Sequence, residues 1–383
     1  MARNKPYAVS SGHRSNCIRI DLAVVGARFA ELLDNIFTAQ QGVTMASPNS
    51  LSQIQTNLTL AYILNNAAKD SSWNDVKNPS PSQIRDNILS RSTASKMTAG
   101  RFAIAWGPAV VVGDDGYAAN ITAVMLGESG RDFRIVTSGT NFDSNLDFLE
   151  DNLIFPMVPL QNRIPACPAS AKIAAGTDLG LQKIIETPSS TGSNTKLTDF
   201  LAKLPENSTI GVIGHSLGGA LASTLVLYLK STLPDMNFYC QTFAGPTAGN
   251  GAFAYYFNEV MVGNALRVYN TLDIVPFGWS ATSLDLAFSI YPAPNGITED
   301  FAKKIKYSID SVEQNNLDYT QWGLGNPTMQ NRLSGLINSD IQGFELQMGY
   351  QHIYEYITLL GLQFSDIKMP PPVNAQAAAI LAT

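Results

Sequence analysis

Between residues 209 and 223 the chain runs through a β-branched stretch, Thr209 to Ile213, and then through Gly214-His215-Ser216-Leu217-Gly218-Gly219 into a helix-forming stretch. Few short segments restrict a fold so strongly. A strand that becomes a helix across one serine must bend sharply, and flanking glycines remove the Cβ atoms that would collide in the bend. The small residues Gly218, Gly219, Ala220 and Ala222 let the helix pack closely behind the strand it has left. Backbone N–H groups and the positive end of the helix then lie beside the Ser216 hydroxyl. The segment makes Ser216 a candidate nucleophile.

The neighbouring pattern agrees with an α/β chain. Phe102 to Val112 and Asn120 to Leu126 are β-rich runs separated by the turn cluster Gly113-Asp114-Asp115-Gly116, which predicts an antiparallel pair. Asp132 to Thr137 adds a short strand. Helical patterns follow at Thr177 to Glu186 and Thr195 to Leu204, then the strand at Thr209 to Ile213 and a helix over Leu217 to Leu229. A strand at Asn237 to Phe243, a helix at Gly251 to Val262 and a strand at Ala265 to Tyr269 continue the alternation. Strands alternating with helices predict a mostly parallel central sheet flanked by helices. Before residue 100 the grammar is different. Helical spacing of apolar residues appears at Leu22 to Phe37, at Ser50 to Lys69 and, after Pro79 and Pro81, at Ser82 to Leu89. The expected organisation is an N-terminal helical extension over residues 1–100, packed on the core, and an α/β domain over residues 101–383.

A serine hydroxyl needs a base to become a nucleophile, and the base needs a group to orient it. The chain has three histidines. His13 precedes the predicted core, and His215 leaves the same turn as Ser216, which suits a structural role. His352 remains as the candidate base. The acid is sought between Ser216 and His352. Asp273 follows the Ala265 to Tyr269 strand, at the carboxyl end where sites collect in open α/β sheets. Asp285 is the reserve, while Asp235 falls at the opposite end of the sheet.

Composition closes several other routes. The charged fraction is 15% and the net charge is −6, with 25 Lys+Arg spread thinly, so no basic footprint for nucleic acid exists. No apolar run reaches the ~20 residues of a membrane span. The basic residues Arg3, Lys5, Arg14 and Arg19 are followed by no apolar core of a signal peptide, which leaves a soluble chain compatible with either a secreted or a cytoplasmic location. Cys17, Cys167 and Cys240 lack metal-ligand spacing, and neither a His-Glu-x-x-His nor a Walker-type loop is present. No metal and no cofactor are expected.

The blocks Val136-Thr-Ser-Gly-Thr140 with Asp147-Phe-Leu-Glu-Asp151, Gly214-His-Ser-Leu-Gly-Gly219, Thr242-Phe-Ala-Gly-Pro-Thr-Ala-Gly-Asn250 and Arg267-Val-Tyr-Asn-Thr-Leu-Asp-Ile-Val-Pro276 resemble the fungal-type, or class 3, triacylglycerol lipases. The resemblance covers about residues 102–356. It implies an α/β-hydrolase fold and a Ser216–His352–Asp273 triad. It also implies an oxyanion hole formed by Thr140, through its backbone N–H and hydroxyl, and by the backbone N–H of Leu217. The implied partner is an ester or lipid substrate met at a lipid–water interface. A phospholipase A1, a short-chain esterase on the same scaffold and a catalytically silent binding protein are the alternatives. This chain departs from the family pattern at Ser138, where an Arg or similar residue is usual, and at Ala174 to Gly180, which replaces a basic His-containing motif. A long insertion also separates Asp273 from His352. The segment Asn141 to Pro165 is expected to form a mobile cover over Ser216. Leu146, Leu149 and Leu153 share one helical face there, ahead of an apolar run with Phe155 and Met157. The insertion from Phe277 to Phe344 is the other candidate cover.

Overall fold

The computed structural model describes residues 50–141, 143–144, 154–192, 194–370 and 372. The helix expected at Leu22 to Phe37, His13, Cys17 and residues 142 and 145–153 of the expected cover, among them Leu146, Leu149 and Leu153, lie outside them.

Among the described residues two helices precede the sheet, α1 (Leu51–Asn65) and α2 (Pro81–Ala94). Ser80 starts α2: its hydroxyl accepts from the Gln83 N–H, and Pro81 occupies the first turn, where no N–H is needed. β1 (Phe102–Val112) and β2 (Ala118–Gly127) form the expected hairpin, closed by hydrogen bonds between Gly113 and Tyr117 and between Gly116 and Gly113. β3 (Asp132–Thr137) pairs antiparallel with β2, and every later pairing in this sheet is parallel. A minor ribbon, β4 (Met157–Pro159) with β5 (Lys172–Ala174), leads into α3 (Ala175–Glu186). The helix expected over Thr195 to Leu204 is reduced to α4 (Leu197–Leu201). Then follow β6 (Thr209–His215), α5 (Leu217–Thr232), β7 (Asn237–Phe243), α6 (Gly251–Met261) and β8 (Ala265–Asn270). Beyond these lie α7 (Glu299–Gln314), β9 (Gln330–Leu333) and α8 (Phe344–Gly349). A π-helical turn over Tyr350–Tyr354, the short α9 (Glu355–Leu359) and α10 (Phe364–Ile367) follow.

The main sheet has seven strands in the order β1-β2-β3-β6-β7-β8-β9. Alternation along each strand divides the core in two. Val212 faces α3, α5 and α6 in one apolar layer, and its neighbour Ile213 faces α1, α2 and the C-terminal helices in the other. Burial on both faces explains why the strands read as continuous apolar runs. The two helices before the sheet are thus half of its covering, and residues 51–383 form one unit. Cys167 and Cys240 are buried free thiols. Among the described residues no helix is long and apolar enough to cross a membrane.

Register decides where the chemistry falls. Thr137 of β3 lies beside Gly214 of β6, Gly214 beside Thr242 of β7, and Phe243 beside Val268 of β8. The carboxyl ends of β3, β6 and β8 therefore open on one edge of the sheet. The loops carrying Thr140, Ser216 and Asp273 leave from that edge.

Candidate active site

Ser216 joins β6 to α5 with φ 60° and ψ −132°, a conformation that a residue with a side chain rarely adopts. It is held there by its neighbours. The Ser216 N–H donates to the Phe243 carbonyl at 2.9 Å, and the Gly219 N–H donates to the Ser216 carbonyl at 2.8 Å. A Cβ on Gly214 would overlap the Gly218 carbonyl, and a Cβ on Gly218 would lie 2.6 Å from the carbonyl oxygens of Thr137 and Ser138. Strand and helix are thus in backbone contact around the serine, as the glycine spacing predicted, and the end of β3 joins them there.

The structure brings Ser216, His352 and Asp273 together. His352 Nε2 is 2.9 Å from Ser216 Oγ, and His352 Nδ1 is 2.9 Å from Asp273 Oδ2 and 3.1 Å from Oδ1. Ser216, His352 and Asp273 are 9%, 3% and 0% exposed, so the carboxylate end of the series is sealed from solvent. Asp273 is fixed from several sides. The Val275 N–H donates to Oδ1 at 3.0 Å and the Tyr356 hydroxyl donates to Oδ2 at 2.8 Å. Tyr356 in turn accepts from the Asn270 N–H at 2.9 Å. Burial and the Asp273 charge push the Tyr356 phenol far above its ordinary range, which keeps its proton available for the carboxylate. With the carboxylate facing Nδ1, that nitrogen carries the proton and Nε2 is left to accept from Ser216. His352 sits on the π-helical turn, anchored where Asn270 Nδ2 donates to Gln351 Oε1 at 2.7 Å and Gln351 Nε2 donates to the Leu336 carbonyl at 2.7 Å. Asp285 is exposed on a 3₁₀ turn, and the Nδ1 position it would need is taken by Asp273.

His215 is buried beneath this group. Its ring centroid is 4.8 Å from that of His352 and 5.0 Å from that of Tyr62. Its Nε2 lies 3.0 Å from the His352 carbonyl oxygen and its Nδ1 lies 3.3 Å from Asn65 Nδ2. Burial and the neighbouring His352 hold its pKa well below the usual histidine range, so it stays neutral.

The loop after β3 lies against the serine. A Cβ on Gly139 would fall 3.3 Å from Ser216 Cβ and 2.7 Å from the His215 carbonyl. Ser138 is tied into the sheet twice: its N–H donates to the Ile121 carbonyl, and its Oγ accepts from the Ile121 N–H at 2.9 Å. Thr140, Ser216 and His352 line one cavity of about 500 Å³, together with Asn65, Trp73 and Tyr354. Leu217 opens α5, where the first N–H groups have no partner within the helix. The arrangement can take a proton from Ser216, hold the resulting charge on His352 against Asp273, and offer donors to an oxygen beside the serine.

Several contributors were not visible in the sequence. Tyr356 lies one helical turn beyond His352, a spacing that could have pointed to it. Asn65 and Tyr62 come from α1, on the far side of any motif.

Residues 135–280 match the model of the class 3 lipase family. Over 117 residues the chain is 30% identical to the secreted alkaline triacylglycerol lipase of Penicillium cyclopium, a stretch covering 30% of this chain and 40% of that protein. The chain thus spans less than half the length of that relative. The crystal structure of M37 lipase superimposes with a TM-score of 0.71 at 25% identity, over 85% of this chain and 98% of that one. The chain thus has an α/β-hydrolase fold, and residues 135–280 are similar to the class 3 lipase family.

Proposed function

We propose that this protein is a serine carboxylic-ester hydrolase, a triacylglycerol lipase that acts through an acyl-enzyme on Ser216. The observation that carries the reading is the hydrogen-bonded series from Ser216 Oγ through His352 to a fully buried Asp273. The family match and the printed activity of the Penicillium cyclopium relative support the substrate class. In this reading His352 takes the Ser216 proton as Oγ attacks the ester carbonyl, and returns it to the departing alkoxide. Asp273 holds the imidazole tautomer and stabilises the imidazolium. The backbone N–H groups of Thr140 and Leu217 receive the oxyanion, where one lost donor typically costs ~10²–10³ in rate. Water then repeats the sequence on the acyl-enzyme and releases the carboxylic acid. The substrate is met at a lipid–water surface.

The polar side of the cavity favours a second reading, an esterase or phospholipase A1 acting on more polar esters. Asn65, Asn66, Lys69, Asn74 and Asp75 all line it. Hydrolysis of p-nitrophenyl esters from acetate to palmitate, with trioleoylglycerol and phosphatidylcholine dispersions beside them, separates the readings. Activity on long chains and triacylglycerol, absent in Ser216→Ala, is the expected result. A native chain that hydrolyses none of these and takes no organophosphonate label on Ser216 is the silent scaffold instead.

A further inference from the structure

Asn65 is the last residue of α1 and lies outside residues 135–280, which match the family model. It nevertheless touches the machinery twice. Its Oδ1 accepts from the Gly139 N–H at 2.6 Å, and its Nδ2 lies 3.3 Å from His215 Nδ1. We propose that Asn65 is a positioning residue of the ester-hydrolase site, holding the oxyanion loop and the tautomer of His215 through one oriented chain of hydrogen bonds.

Each link leaves the next a single choice. A backbone N–H can only donate, so the amide atom facing Gly139 is the oxygen. The amide nitrogen, a donor only, then faces His215 Nδ1, which must accept. The His215 proton is thereby confined to Nε2, which donates to the His352 carbonyl 3.0 Å away. A charged His215 would present an N–H to the Asn65 amide group, and the depressed pKa of His215 agrees with its exclusion.

Packing makes the contact directional. The position of a Cβ on Gly139 is 3.3 Å from Asn65 Nδ2 and 3.3 Å from Ser216 Cβ. The loop is wedged between the amide and the nucleophile, so withdrawal of Asn65 frees the Gly139–Thr140 peptide to leave the serine. The other end of the chain fixes the backbone from which the base projects, and the Tyr62 hydroxyl, on the same helix, bonds to the adjacent Ile353 carbonyl. α1 thus holds the oxyanion loop, the elbow and the turn carrying His352.

The inference rests on the ester-hydrolase reading, and the test separates the two. Asn65→Leu removes both hydrogen bonds at similar volume; Asn65→Asp keeps an acceptor for Gly139 but loses the donor to His215. Steady-state hydrolysis of p-nitrophenyl butyrate is measured beside inhibition by an alkylboronic acid, whose tetrahedral adduct on Ser216 resembles the transition state. For Asn65→Leu we expect kcat to fall about tenfold or more with KM changed less than threefold, and boronate affinity to fall by the factor lost in kcat/KM. Asn65→Asp should lose a smaller share of both, and it carries the test if the Leu variant does not fold. Asn57→Leu is the structural control. Asn57 lies two turns earlier on α1, with Nδ2 donating to Gln241 and Oδ1 accepting from Arg134. This variant should lower the melting temperature while leaving kcat per folded molecule unchanged. A folded Asn65→Leu or Asn65→Asp that keeps native kcat and boronate affinity, or loses only thermal stability, overturns the proposal while leaving the hydrolase reading intact. A native chain without ester hydrolysis or Ser216 labelling overturns both.

Discussion

Replacing Gly218 by Ala tests how tightly the elbow is coupled to the loop that follows β3. The added methyl would stand 2.6 Å from the carbonyl oxygens of Thr137 and Ser138. Carbon–oxygen contacts settle near ~3.3 Å or beyond, so the methyl is short of room by about 0.7 Å on two sides. Both obstacles are backbone. Thr137 is paired with Thr122 on one side and Gly214 on the other, and Ser138 is bonded to Ile121. The strain must therefore pass into the start of α5 or into the Gly139–Thr140 loop. Overpacking of this kind costs about 1–3 kcal/mol, which corresponds to a lowering of the melting temperature by several degrees. A misplacement of ~1 Å in a catalytic group can cost ~10²-fold in rate, so a shift of this size should reduce kcat/KM by about 10–10². The assay is steady-state hydrolysis of p-nitrophenyl butyrate, normalised to active sites titrated with an organophosphonate, beside a thermal melt. A Gly218→Ala protein melting with the native one and within twofold of its kcat/KM would refute the reasoning.

The remaining predictions concern the groups behind the serine. Tyr356→Phe removes the charge-assisted bond to Asp273 and leaves the buried Asn270 N–H without its acceptor; we expect a loss of about 2–4 kcal/mol in urea unfolding and a roughly tenfold fall in kcat, and native values for both would show that the hydroxyl is dispensable. Asp273→Asn should abolish most activity in the pH-stat assay while Asp285→Asn leaves it unchanged; the reverse outcome would move the acid to Asp285. His215 has a depressed folded-state pKa, so the unfolded chain takes up a proton below ~6.5 that the folded chain refuses. Its contribution is constant above that pH and turns destabilising as pH falls, by at most about 1.4 kcal/mol per pH unit. His215→Phe should therefore flatten the acid side of the stability curve from pH 7 to pH 5, and parallel native and variant curves would disprove the linkage.

How much of this was legible beforehand depended on the range of the interactions. The elbow was readable because strand, turn and helix lie within residues 209–232, and each glycine has a local steric reason. Asp273 followed from its place after β8, and His352 from the scarcity of histidine. β9 was missed because Gln330-Asn331-Arg332-Leu333 offers neither an apolar run nor alternation; it pairs as an edge strand against β8. The spacing of Phe301, Ile305, Ile309 and Val312 does mark α7, inside a region read only as inserted material. The roles of Asn65 and Tyr62 arise from contacts that no local pattern encodes, since α1 reaches the site only by crossing the sheet face.

The connection between β8 and β9 has an evolutionary meaning. These strands are neighbours in the sheet, with Arg267 beside Gln330, yet the intervening chain builds a small apolar cluster around Ile274, Leu284, Tyr291 and Ile305, which Phe344 and Met348 join from beyond β9. Its two ends are pinned by sheet hydrogen bonds, one just before Asp273 and the other ahead of the turn that carries His352. The entropy of closing such a loop grows only logarithmically, about 0.6 kcal/mol for each doubling of its length. Descendants of this chain could therefore exchange, lengthen or trim residues 281–316, ahead of Tyr319, Trp322 and Met329, which pack into the rest of the fold, while inheriting Asp273 and His352 in unchanged register.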